Sequence, residues 1–77
     1  MGITEDLADQ LARDTIAAVD RTGDDSLISQ VSKILASSSI AAQEAFMVAV
    51  RAMQAERRAR KFLEERLAAA ADRGPPA

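Results

Sequence analysis

The sequence predicts an all-α chain of two short helices followed by one long helix, a bundle completed by homodimerisation. Three observations predict it. Apolar residues recur at three- and four-residue spacing in each segment. The chain is interrupted by helix-stopping chemistry at only two internal places, Thr22-Gly23 and Ser37-Ser38-Ser39. From Ile40 to Asp72 there is no glycine or proline, and alanine is abundant. The expected domain is a single one over residues 1–72, with helices at about 4–21, 25–36 and 40–72 and a disordered tail at 73–77.

In the first helix, Thr4 is the expected N-cap, Ile3 a staple before it, and Glu5 and Asp6 sit favourably in the positive first turn. Leu7, Leu11, Ala18 and Val19, with Ala8, Ala12 and Thr15, define its apolar face. Gly23 can take the left-handed conformation that ends a helix, and Asp24 or Asp25 can cap the next one. The second helix carries Leu27, Ile28, Val31, Ile34 and Leu35 on one stripe, with Ser29, Gln30, Ser32 and Lys33 on the other side. The serine triplet reads as a tight connection in which any hydroxyl can cap the third helix.

At 1.5 Å per residue the third helix is roughly 50 Å long. A compact globule of this size is only about 30 Å across, so the helix outruns its own domain. Its first half puts Val48, Ala41, Ala52, Ala45, Ala49, Ala42, Met53, Phe46 and Val50 on an arc of roughly 200°, wide enough for two packing partners. Its second half interposes Glu56, Arg57, Arg58, Arg60 and Lys61 before Phe62, Leu63, Leu67 and Ala70. No sustained heptad is evident, which disfavours a long parallel coiled coil. An antiparallel second copy is the economical cover.

Composition points the same way. Alanine supplies 17 of the residues, and Leu, Ile, Val and Phe together only another 17 of 77, a thin supply for a core. Small domains of this kind lean on disulfides, metals or self-association. With no cysteine and no histidine, disulfides, thiolate sites and zinc sites are ruled out. The twelve acids include no calcium-loop pattern. No metal and no cofactor is expected.

Catalysis is not expected either. Ser37, Ser38 and Ser39 have only Lys33 near them in sequence as an activating base. Glu64-Glu65 and Asp24-Asp25 are adjacent pairs, which do not converge on a helix. Gly2, Gly23 and Gly74 never cluster into a phosphate loop. The acidic N-terminus lacks a basic and an apolar signal region, and Asp6 stands where a myristoylation signal needs Ser or Thr. The longest apolar run, Ala45 to Val50, is far short of the roughly 18–20 residues of a membrane span. The alanine face is also shallow for an interfacial helix, and tryptophan is absent. A cytoplasmic location is the default expectation, and the alanine- and arginine-rich style is that of a small bacterial protein.

Net charge is -2, split between seven acids and three bases in residues 1–36 and seven bases and five acids in residues 37–77. An acidic first half and a basic third helix favour antiparallel docking of unlike segments. The expected function is therefore non-enzymatic: a regulator or adaptor working as a homodimer, meeting helices of a protein partner through Phe46, Val50, Met53, Phe62, Leu63 and Leu67. The alternative is a small dimeric DNA-binding transcriptional regulator, with Arg51, Arg57, Arg58, Arg60 and Lys61 on phosphates. Against it, Glu56 precedes Arg60 by four residues, Arg60 precedes Glu64 by four and Lys61 precedes Glu65 by four, so these charges can pair along the helix. A helix-turn-helix over Val31 to Ala45 would offer only Gln43 to bases and would set Glu44 against phosphate.

Overall fold

The computed structural model describes residues 2–72. Three helices account for nearly all of them, α1 (Ile3–Thr22), α2 (Ser26–Ser38) and α3 (Ile40–Asp72), with no strand among the described residues. Each helix packs against the other two, forming a short three-helix head. From it the second half of α3 projects, and the molecule reaches 60 Å in its longest dimension. The expected tail at 73–77 lies outside the described residues.

The helix junctions follow from local chemistry. α1 begins one residue earlier than expected, on the extended Gly2, whose carbonyl accepts the Asp6 N–H at 3.2 Å. Thr4 thus lies inside the helix rather than capping it, and Ile3 is exposed and staples nothing. Glu5 and Asp6 do occupy the first turn. At the other end Gly23 is left-handed (φ 74°), and its N–H donates to the Val19 carbonyl at 2.7 Å. Of the two candidate caps for α2 it is the Asp24 carboxylate that works: it accepts the Ser26 N–H at 3.0 Å and the Ser26 hydroxyl at 2.6 Å.

α2 runs two residues beyond its expected end. The Ser37 hydroxyl turns back onto the Ile34 carbonyl at 2.6 Å, which lets a serine remain helical. Only Ser39 is left between α2 and α3. Its extended backbone (φ -156°, ψ 110°) turns the chain, and its Oγ accepts the Ala42 N–H at 3.1 Å. One residue therefore ends one helix and caps the next.

The core lies between α1 and α3: Ala8, Ala12 and Ile16 face Phe46, Ala49 and Val50, bordered by Leu11, Ile28, Val31, Leu35, Ala45, Met47 and Met53. Alanines at three of the six buried positions let the two helices approach closely. Phe46 is the one large ring sealed inside, 0% exposed. Thr15 is buried as well, its hydroxyl donating to the Leu11 carbonyl at 2.8 Å.

Two apolar stripes are rotated from their sequence-based positions. Leu7 is exposed, leaving the inner face of α1 to Ala8, Ala12, Thr15 and Ile16. In α2, Ile34 is exposed while Ser32, expected on the outer side, is buried and accepts the Gln43 side-chain amide at 3.1 Å. A shared hydrogen bond between α2 and α3 turns Ser32 inward, and the helix pivots so that Leu35 and Ile28 border the core. Ile34, at the stripe's edge, is then left outside.

Candidate functional site

The six residues expected to form a partner surface do not lie together. Phe46 and Val50 are the centre of the chain's own core, and Met53 is half-buried beside them. The correction has a simple cause: the wide apolar arc of α3 is half consumed by α1 and α2. What remains open is the rest of that arc together with the projecting helix. Every residue from 55 to 72 is exposed, and so are Phe62 (62%), Leu63 (53%), Leu67 (62%) and, lower down, Val48 (64%).

Large apolar side chains left in water on one side of one helix form an unpartnered face. The exposed side of α3 also has a regularity that counting only large apolar residues hides. Ala41, Ala45, Val48, Ala52, Ala55, Ala59, Phe62, Arg66 and Ala69 follow one another at alternating spacings of four and three. All are exposed except the half-buried Ala45. This is a heptad seam after all, written mainly in alanine. Its one charge, Arg66, holds its guanidinium carbon 5.6 Å from the centre of the Phe62 ring, one turn back.

The basic residues divide into engaged and free. Arg57 reaches across to α1 and donates to both Asp20 carboxylate oxygens from its two terminal guanidinium nitrogens, at 3.1 and 2.7 Å. The grip is a forked pair, the geometry guanidinium and carboxylate form best. Arg60 pairs with Glu56 at 2.6 Å along the helix. Of the three local pairings the spacing allowed, this one is made; Lys61–Glu65 and Arg60–Glu64 are not among the ion pairs of the described residues. Arg51, Arg58 and Lys61 carry no ion pair among the described residues.

The Asp20–Arg57 pair was not legible beforehand, since 37 residues separate its members. It pins the end of α1 to α3 just where the head stops. The hydrogen bond from Arg57 holds the Asp20 carboxyl below its ordinary pKa. A depressed acid stabilises the fold above its unfolded pKa, about 3.9, and that contribution disappears as pH falls through the lowered value. Asp20→Asn should therefore cost a small, salt-sensitive amount of stability at neutral pH, as exposed pairs do. In acid, where the wild-type carboxyl is itself protonated, the difference should vanish. Thermal melts at two pH values and two salt concentrations check this.

No group of three or more His, Cys, Asp or Glu side chains among the described residues is placed to hold a metal. No described helix is long and apolar enough to cross a membrane. Gln43, the residue a helix-turn-helix would have offered to bases, spends its side-chain amide on Ser32. No family model, no curated protein and no solved structure matches the chain.

Proposed function

We propose that this chain is a non-enzymatic helical interaction protein that self-associates through the projecting half of α3, with a regulatory or adaptor role. One observation carries the reading: Phe62, Leu63 and Leu67 stand exposed on a helix that extends beyond its own domain. An isolated helical segment of this length is marginal in water without tertiary cover. Apolar side chains on such a segment are best accounted for by a surface that buries them.

The test is the solution mass across a wide concentration range, by light scattering behind a sizing column. The wild type should shift towards a dimer as concentration rises. Leu63→Asp combined with Leu67→Asp should hold the chain at monomer mass without lowering the stability of the head, since both residues are exposed in the single chain. A double variant that assembles like the wild type would overturn the reading.

The alternative, duplex binding through the basic segment, retains Arg51, Arg58 and Lys61 as unpaired cations. Phosphate-driven binding weakens steeply with salt, whereas an apolar helix interface scarcely changes. A mobility shift at low salt separates the two readings.

A further inference from the structure

The exposed alanine seam of α3 defines the occupant as well as the face. We infer that it receives a second copy of α3 running antiparallel, with the two-fold axis between Arg60 and Lys61. This rests on the reading that α3 is the assembly helix, and adds direction and register to it.

Charge complementarity selects the register. The row bordering the seam on one side is Glu44, Arg51, Arg58, Glu65 and Asp72, seven residues apart. In an antiparallel pair this row faces itself. With the axis between Arg60 and Lys61, Arg58 meets Glu65 of the second copy and Arg51 meets Asp72 of the second copy. Symmetry doubles each, so four unlike pairs form and the row contains no like pair. Sliding one heptad layer in one direction sets Arg58 against its own counterpart and Glu44 against Asp72; sliding the other way sets Glu65 against its own counterpart. Only the middle register is free of repulsion.

The seam itself favours the same arrangement. In a parallel pair Arg66 would stack on Arg66 and Phe62 on Phe62, placing two like charges and two bulky rings in one narrow seam. Antiparallel, Phe62 of one copy lies over Ala59 of the other and Arg66 over Ala55, large on small at every such layer. Alanine layers bring helix axes to the short end of the usual 8–10 Å. The overlap takes in the projecting half of α3 and the turns from Ala49 to Arg57 alongside the head, about 24 residues or roughly 36 Å of helix from each copy. Leu63 borders it, while Leu67 lies further round, in line with Ala49. The heads point away from each other at opposite ends; α1 and α2 pack mainly on the Phe46 and Val50 side, while of the seam residues Ala45 borders the core and Ala52 has Asp9 and Arg13 of α1 beside it.

Two measurements on the full chain test this. Glu65→Lys sets lysine against Arg58 of the other copy and should weaken dimerisation by about tenfold at low salt, the sum of two modest pairs turned repulsive. Adding Arg58→Glu to the same chain restores unlike pairing and should recover the wild-type affinity. Glu64→Lys makes the same charge change off the seam and should leave it unaltered. In the second measurement the cysteine-free chain receives spin labels singly through Gln54→Cys, Lys61→Cys or Ala68→Cys, on the row beyond the charged one and clear of the seam.

Pulsed dipolar distances should be shortest at position 61. They should include an axial component of about 20 Å at position 54 and about 22 Å at position 68, from the rise per residue. Equal distances at all three sites would mean a parallel pair, and failure of Arg58→Glu to rescue Glu65→Lys would mean another register; either overturns the inference while leaving self-association intact. A chain that stays monomeric at every concentration overturns self-association as well.

Discussion

Replacing Phe46 by alanine should remove about a third or more of the chain's stability. The ring is 0% exposed and is the bulkiest side chain buried among the described residues. Its neighbours in the core include Ala8, Ala12 and Ala49, which cannot lean far into the hole. Truncating a buried Phe to Ala costs roughly 3–5 kcal/mol. At 0.05–0.15 kcal/mol per residue, a chain of this length holds only about 4–12 kcal/mol in total. Helical circular dichroism with a urea titration reads the result. Phe46→Leu, which keeps most of the volume, should lose less than about 1.5 kcal/mol. A cost for Phe46→Ala below about 1 kcal/mol would mean that the ring is not what holds α1 and α2 on α3.

The second large effect is expected from making a small residue larger. Ala12 is 0% exposed, in the core that α1 shares with Phe46, Ala49 and Val50 of α3. Leucine there has no space to enter without pushing the helices apart, and overpacking of this kind costs roughly 1–3 kcal/mol. Ala17→Leu makes the same chemical change on the exposed side of the same helix. It should alter stability by no more than about 0.5 kcal/mol. The contrast between the two, read in urea midpoints, isolates packing from helix propensity, because both substitutions carry the same propensity change.

The architecture was legible because its punctuation is chemical. Gly23 supplies the left-handed stop that Thr22 cannot, a serine hydroxyl caps α3, and the unbroken stretch from Ile40 to Asp72 fixes the length of the third helix. Rotation about each helix axis was less legible. Leu7 and Ile34 belong to the apolar stripes by spacing, yet a head built on Ala8, Ala12 and Ala49 turns its small faces inward, and one side-chain hydrogen bond draws Ser32 in with them.

The candidate interface was half legible. The exposure of Phe62, Leu63 and Leu67 follows from the sequence, because large apolar residues beyond the domain's reach have nothing to cover them. Phe46 and Val50 were assigned to the same surface because sequence periodicity shows that a face is apolar but not which helix covers it. The spacing of large apolar residues does not reveal the alternating seam, since alanine, a filler in a core, is equally the residue that lets two helices lie close. The Asp20–Arg57 clasp had no sequence signal, because nothing in local spacing relates residues on different helices.

The single-residue join at Ser39 and the bare second half of α3 together give the molecule a gradient of local stability along one helix. Near Phe46 the backbone of α3 opens only when the head unfolds. Beyond Arg57 each successive turn is held by its own helical hydrogen bonds and little else, so the helix frays inward from its far end at a cost set by residue propensity rather than by the fold. One continuous rod thus has an anchored half and a compliant half, and the amide protons of the compliant half report directly on whether a neighbour lies against it.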